Sequence, residues 1–339
     1  MAGNAATFGM ATGPNPDMAK YYFIPRRWSK RFPDLHPIGW RIEARFIRML
    51  LGVLARRTPE DAAQLARRVF RAIGPRTAKR LVVMRNLCVA FPERTDDALE
   101  AIGREIFGNV GAAFAEIVHL ERIWRERATR LEFVAHPGVH FIREPGRPAV
   151  LVTAHVGPWT LTNFVARQYG FPLTIVYAPE SNPYVHDLMY ELREALGVAL
   201  VQRDRSMRTL MHELSEGRSV GLGSDVRLDS GEMLPFFGHE MQSNTVPARL
   251  ALRYRCELVP VRAERVEEGH YRITMCEPIE PGDASVPPNQ AAREMTAKLN
   301  RVFEDWIREA PGEWVCLARR WPKAVSQVVA SARHERGKT

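Results

Sequence analysis

The chain has 339 residues, 45% of them hydrophobic and 26% charged, with four cysteines and a formal net charge of +9. That balance excludes a wholly disordered chain and a disulfide-stapled scaffold. No apolar run of about 18 residues announces a transmembrane helix.

The positive charge is concentrated. Between Met1 and Arg57 ten Lys/Arg face three acids, a local excess of +7. Such a patch suits an anionic membrane, a nucleic acid or an acidic protein, and equally a plain solvated face. Residues 1–20 have neither the basic start nor the apolar stretch of a signal peptide and read as an unordered tail. Residues 21–37 mix aromatic and basic side chains. From Ile38 to Arg57 a helix is expected, with Ile42, Phe46, Met49, Leu50, Val53 and Leu54 on one face and Arg41, Arg45 and Arg48 on another. This pattern fits a helix lying in a lipid interface, and it also fits one packed on its own domain. No recognition-helix, RNP or zinc-finger signature accompanies the charge, so nucleic acid is not an expected partner.

Thr58-Pro59-Glu60-Asp61 has a capping residue, a first-turn proline and early acids, and starts the next helix. A helix through Val82–Leu87 follows, and another from Thr95 to about Leu120, so the chain is helical up to residue 130. Then the period changes. Short β-rich runs at 149–153, 173–177, 198–201, 220–223, 258–262 and 271–275 alternate with helical stretches at 161–169, 183–196, 206–216 and 246–254. Alternation of this kind implies a mostly parallel central sheet flanked by helices, an α/β fold. A helix over 290–310 closes the core. The expected domains are a tail (1–20), a helical N-terminal region with the basic amphipathic segment (21–130), an α/β core (131–323) and a polar tail (324–339).

The candidate chemistry centres on His155, which follows the apolar run Ala149–Thr153 and precedes the break at Gly157-Pro158. A titratable group at the carboxyl end of a buried strand is where α/β proteins place ligands. A neutral imidazole there takes a proton from an attacking hydroxyl; a core histidine satisfying one hydrogen bond is the alternative. Asp225 follows the run Val220–Ser224 and is a second strand-end candidate, although Asp225–Gly231 also reads as turn chemistry. Phe236 and Phe237 are two exposed-looking loop aromatics, either a wall of an acyl-chain groove or simple packing. The four cysteines are widely spaced and fit reduced thiols, with no metal-ligand spacing. G-x-S-x-G, phosphate-loop and H-E-x-x-H motifs are absent, which favours direct transfer over a covalent acyl-enzyme.

The ordered set Arg85-Asn86-Leu87, Ala90–Glu93, Ala154–Trp159, Val176–Pro179 with Asn182-Pro183, Asp225, Pro235–Gly238, Pro311–Trp314 and Ala318–Trp321 resembles the bacterial lipid A late acyltransferases. These are the lauroyl and myristoyl transferases of the lysophospholipid acyltransferase superfamily, and the likeness runs from about residue 38 to 323. The resemblance implies a glycerolipid acyltransferase-like α/β fold with a membrane-associating N-terminal region, at the cytoplasmic face of the bacterial inner membrane. It implies transfer of a fatty acyl group from acyl carrier protein or coenzyme A to a hydroxyl of a glycolipid, with no cofactor and no metal. His155 matches the family's base and Asp225 an important acid. Gly157, Trp159 and Thr160 fall at the oxyanion and active-site wall, and Arg85, Arg227, Phe236, Phe237, Arg319 and Arg320 at substrate-binding positions. Two positions depart from the family: Thr160 stands where a Glu is usual, and Ala178 where an Arg is usual. Losing the carboxylate of a Ser-His-Asp triad costs on the order of 10⁴ in turnover. By analogy Thr160 implies a slow enzyme, an acid supplied from elsewhere, or a silent homologue that only binds lipid or acyl carrier protein.

Overall fold

A computed structural model describes residues 36–282 and 285–336. The unordered tail expected over 1–20 and the aromatic-basic stretch that follows lie outside the described residues. The chain divides into two units, residues 1–53 with 179–191 and residues 54–178 with 192–339.

In the first unit, helix α1 (His36–Ala55) buries Trp40, Glu43 and Ala44. The buried amide of Asn182 donates to the Trp40 carbonyl (3.0 Å) and to Oε2 of Glu43 (2.9 Å). Arg41 Nε donates to the Tyr184 hydroxyl (2.9 Å), and its guanidinium lies over the Tyr184 ring. Of the apolar face expected on this helix, Ile42, Phe46, Met49, Leu50 and Val53 are exposed, Ile42 by 60%, as is Ile38, while Leu54 is half-buried.

The second unit begins with helices. Thr58 caps α2 (Pro59–Ile73) by accepting from the Asp61 amide, with Pro59 in the first turn. After α3 (Lys79–Ala90), Thr95 caps α4 (Asp96–Val118) in the same way through the Ala98 amide. Ala62, Ala63 and Ala66 of α2 are buried with Ala112 and Ala115 of α4, and these small side chains bring the two helices close. Two short helices, α5 (Leu120–Arg125) and α6 (Arg127–Arg130), lead into the sheet.

The strands are β1 (Leu131–Ala135), β2 (Ala149–Thr153), β3 (Leu173–Tyr177), β4 (Ala199–Gln202), β5 (Ser219–Gly223), β6 (Glu232–Phe236), β7 (His239–Ser243), β8 (Glu257–Glu267) and β9 (His270–Met275). Seven of them form one sheet in the order β1-β9-β8-β2-β5-β3-β4. All its neighbours run parallel except β8 and β9. β2 lies between β8 and β5, and its first four residues are buried. Both of its faces are covered, hence its unbroken apolar sequence. The remaining helices of this stretch, in chain order, are α7 (Phe164–Tyr169), α8 (Pro183–Glu194, mostly in the first unit), α9 (Ser206–Ser215), α10 (Val246–Tyr254) and α11 (Pro288–Glu309). The α/β architecture with a mostly parallel central sheet is therefore as the alternation of periods implied.

Four elements differ from expectation. The helix expected over 161–169 begins as a 3-10 turn, Trp159–Asn163, before α7. β1 is an additional edge strand. β6 and β7 form a separate antiparallel hairpin whose two-residue turn, Phe237-Gly238, has positive φ at both positions; that geometry matches the twist of a hairpin. The expected polar tail instead carries α12 (Lys323–Arg336), whose Val325 and Val329 pack on the core.

Candidate active site

β2 and β5 pair in parallel with Thr153 opposite Gly223, and the Ser224 amide extends the ladder to the Thr153 carbonyl (2.9 Å). His155 and Asp225 each lie two residues beyond that pair, so the register delivers both to one end of the sheet. Oδ1 of Asp225 lies 2.6 Å from Nδ1 of His155 and also accepts from the His155 backbone amide at 3.1 Å. An ionised carboxylate only accepts, so Nδ1 carries the hydrogen, and in the neutral imidazole Nε2 is then the nitrogen with the lone pair. Gly223 leaves the imidazole its seat: a Cβ there would lie 2.9 Å from His155 Cε1.

The second oxygen of Asp225 is held by Arg320. Nη2 of Arg320 donates to Oδ2 at 2.8 Å and to the Val315 carbonyl at 3.2 Å. Asn86 fixes this segment, accepting from the Arg320 amide (3.1 Å) and donating to the carbonyls of Cys316 (2.9 Å) and Ala318 (2.8 Å). Asp225 and Arg320 are 0% and 1% exposed. Burial by itself raises a carboxyl pKa, but the Arg320 guanidinium and the His155 imidazole outweigh it. They hold Asp225 well below the usual carboxylate range, so it is ionised at neutral pH.

A strap made of residues 313–316 ties down the histidine loop. The Gly157 amide donates to the Glu313 carbonyl (3.1 Å), the Val315 amide donates to the His155 carbonyl (2.8 Å), and Val156 bridges to Trp314. Gly157 has φ +60°, and a Cβ there would meet the Ala263 carbonyl at 2.8 Å, so glycine is required twice over. Behind the strap, buried Arg265 pairs with Glu116 (2.6 and 2.9 Å) and with Glu313. Burial raises the Glu116 carboxyl even against its Arg265 partner, and burial opposes the charge on Arg265 while its two acids sustain it.

His155 opens onto a cavity of about 270 Å³ lined by Ile117, Ile175, Val176, Leu196 and Leu222, with Trp159, Thr160 and Arg193 at its margin. The Trp159 ring lies 5.4 Å from the imidazole, centroid to centroid. A separate cavity of about 410 Å³ is bounded by Arg85 and Val82 of α3, Arg227, Asp229 and Arg319.

The residues singled out by sequence therefore separate into groups. His155 and Asp225 meet directly, and Trp159 and Thr160 border the apolar cavity. Arg85, Arg227 and Arg319 meet in the second cavity. Three expectations need correction. Gly157 offers no free amide to an oxyanion, because that N–H is already donated to Glu313. Arg320 is not a surface ligand-binding arginine; it is buried against Asp225. Phe236 and Phe237 are not exposed groove aromatics. They are 0% and 6% exposed and pack with Trp314, Trp321 and Phe91, since Phe236 closes a strand and Phe237 turns the hairpin. Sequence reasoning gave no role to Asn86, although it lay inside a quoted motif, and it missed Arg193 and the Glu116–Arg265–Glu313 cluster. Charged residues inside otherwise apolar stretches were the available signal for that cluster.

The described residues contain no group of three or more His, Cys, Asp or Glu arranged to hold a metal ion. The cysteines form no disulfide, and burial pushes the thiols of Cys256 and Cys276 up to about 11 and that of Cys316 up to about 12. None of these three is poised as a nucleophile at neutral pH.

The family model for bacterial lipid A biosynthesis acyltransferases matches residues 35–323. The chain belongs to that family. The lipid A biosynthesis lauroyltransferase of Escherichia coli K12 is 26% identical over 249 residues, covering 71% of this chain and 78% of the relative. The lipid A biosynthesis acyltransferase of Haemophilus influenzae Rd is 22% identical over 240 residues, 68% and 72% of the two chains. The crystal structure of the 1-acyl-sn-glycerophosphate acyltransferase of Thermotoga maritima aligns with a TM-score of 0.33 at 12% identity, covering 71% of this chain and 97% of that one. As a lipid A-family acyltransferase, the chain joins an acyl thioester donor to a lipid acceptor in general terms. In this acyltransferase the carboxylate beside the histidine comes from Asp225 at the end of β5.

Proposed function

We propose that the enzyme moves a fatty acyl group from an acyl carrier protein or coenzyme A thioester to a hydroxyl of a lipid A-like glycolipid or another membrane lipid. The observation that carries this reading is the Asp225–His155 pair opening onto an apolar cavity.

In the reaction, Nε2 of His155 takes the proton of the acceptor hydroxyl as its oxygen attacks the thioester carbonyl. Asp225 holds the imidazole by Nδ1 and offsets the charge that develops on the ring. The carbonyl oxygen becomes an oxyanion. The Trp159 amide, which opens the 3-10 turn and has no intrahelical acceptor, is the donor assigned to it in place of Gly157. Collapse forms the ester bond and breaks the carbon–sulfur bond, and the imidazolium returns its proton to the departing sulfur. The aliphatic walls beside His155 take the acyl chain by apolar burial. Because Asp225 supplies the acid missing at Thr160, the active reading is favoured over a silent lipid-binding homologue.

The enzyme is assigned to the cytoplasmic face of the bacterial inner membrane as a peripheral or monotopic protein. No helix among the described residues is long and apolar enough to cross a membrane. The exposed apolar row of α1 with Arg41, Arg45 and Arg48 beside it supports interfacial binding, rings and aliphatics in the acyl boundary and guanidiniums at lipid phosphates.

The test is acyl transfer by purified protein from labelled donors to bacterial lipid extract. His155→Ala is expected to abolish the product while its circular dichroism and melting stay those of the parent. Undiminished transfer by this variant refutes the mechanism. Lipid profiles of cells with and without the gene identify acceptor and chain length together.

A further inference from the structure

Glu313 meets both the histidine loop and a buried charge cluster. Its carbonyl accepts from the Gly157 amide (3.1 Å), and two residues further on the Val315 amide donates to the His155 carbonyl (2.8 Å). Its carboxylate pairs with Arg265 of β8, whose Nε and Nη2 donate to the two oxygens of Glu116 on α4 (2.6 and 2.9 Å). Arg265 thus commits all three nitrogens to two acids from different elements. Its side chain and that of Glu116 are 6% and 3% exposed. A second tie runs beside the first. Asn109, two turns before Glu116 on the same face of α4, donates to the Gly312 carbonyl at 2.5 Å, and Arg67 of α2 donates to the Asn109 side-chain oxygen. Gly312 sits hard against α4, since a Cβ there would fall 2.8 Å from Glu105 Cβ. The turn Pro311–Glu313 is therefore seated on α4, while its last residue grips the loop that presents His155.

Buried ion clusters are a poor source of stability, because apolar residues of similar volume often serve as well or better. What a guanidinium fork between two carboxylates adds is direction. The direction fixed here is that of the strap, whose two backbone hydrogen bonds flank His155. We propose that Glu116, Arg265 and Glu313 form a positioning clamp for the catalytic base, with Glu313 transmitting the placement of α4 and β8 to the His155 loop. None of the three lines the 270 Å³ cavity, so they are positioning residues and act through the loop. The inference rests on the acyl-transfer reading for its effect on turnover, while the placement of the imidazole against Asp225 is independent of it.

The experiment uses the full-length protein as parent, Glu313→Ala, Glu313→Gln, and the triple apolar variant Glu116→Leu/Arg265→Met/Glu313→Leu. Steady-state kinetics, chemical denaturation and proton–nitrogen NMR of histidine-labelled protein are compared, with His155→Ala assigning the His155 ring signals. Glu313→Ala should lower kcat about 100-fold, the cost of a misplacement of about 1 Å, with both KM values within about twofold of the parent. Glu313→Gln, which keeps an oxygen for Arg265, should recover to within about tenfold of the parent. The triple variant should match or exceed the parent's denaturation midpoint and yet be as slow as Glu313→Ala. In both slow variants the His155 Nδ1–H signal should move from its position in the parent, and in Glu313→Gln it should stay. Parent-like kcat in Glu313→Ala, a loss carried by KM, or an unmoved Nδ1–H signal overturns the clamp. Should the triple variant not fold, Glu313→Ala decides, its carboxylate being 25% exposed in the parent. Failure of the acyl-transfer mechanism would show instead as transfer retained by His155→Ala, and the NMR comparison would still judge the clamp.

Discussion

Asp225 Oδ1 stands 2.6 Å from His155 Nδ1, while its other oxygen accepts from buried Arg320 at 2.8 Å. The carboxylate is thus shared between a partly exposed imidazole and a buried cation. The proton position on the histidine and the charge on the acid are set by one three-residue chain. Asp225→Asn keeps the shape but removes the anion and permits the wrong tautomer. By analogy with Ser-His-Asp triads, turnover is expected to fall by on the order of 10⁴ with the KM values little changed. Steady-state kinetics check this, and a loss below tenfold would mean that another acid serves His155.

Arg320→Met leaves the Asp225 carboxylate without its buried cation. Removing one member of a buried pair costs about 3–5 kcal/mol, so a fall of that order in chemical denaturation is expected. Arg319→Gln, one residue away but exposed, is expected to fall within about 0.5 kcal/mol of the parent. Equal effects of the two changes would contradict the buried role of Arg320.

The pH dependence of stability follows from Asp225. Its folded pKa is depressed, so its contribution is fully present above the unfolded value of about 3.9 and disappears as pH falls towards the folded value. Acid unfolding should therefore steepen below about pH 4 in the parent. Asp225→Asn should flatten that limb, measured as denaturation midpoint against pH.

Gly223→Ala would place a methyl 2.9 Å from His155 Cε1, a distance that requires the imidazole to move. Activity is expected to fall about 100-fold, since misplacement by about 1 Å has that cost, while thermal stability changes little. A fully active alanine variant would show that the ring has room to give.

Ile42→Glu with Met49→Glu alters two exposed residues of α1 and should leave folding intact. Flotation with vesicles containing anionic lipid should drop about tenfold or more, and raising salt should weaken what binding remains. Unchanged flotation would remove α1 from membrane binding.

Much of the architecture was legible in the sequence. The central strands β2 and β3 are buried on both faces, so their apolar runs were unbroken and their ends clear. β1 was missed, although Leu131 and Phe133 alternate with Glu132 and Val134 in the period of a half-buried strand. The β6–β7 hairpin was hidden by Pro235 and by the polar sequence of β7. Its Phe237-Gly238 turn lacks the usual Asn-Gly or Asp-Gly signal. For the site, His155 and Asp225 were visible as strand-end groups, but their contact depends on β2 lying next to β5, which is a matter of tertiary order. Arg320 looked like a ligand arginine because charge in sequence does not reveal burial. Only the strand order places Asp225 where it needs a cation.

The overhang of two residues beyond the Thr153–Gly223 pair ties catalysis to folding. His155 and Asp225 are 70 positions apart along the chain, and no local turn can unite them. A slip of β2 against β5 by one residue would reverse which side chains face each surface of the sheet and part the base from its acid. Chains that acquire the helices but mispair these two strands would be compact and inert. Acyl transfer is then a register gauge: specific activity per folded molecule reports what fraction of a preparation has zipped β2 to β5 correctly.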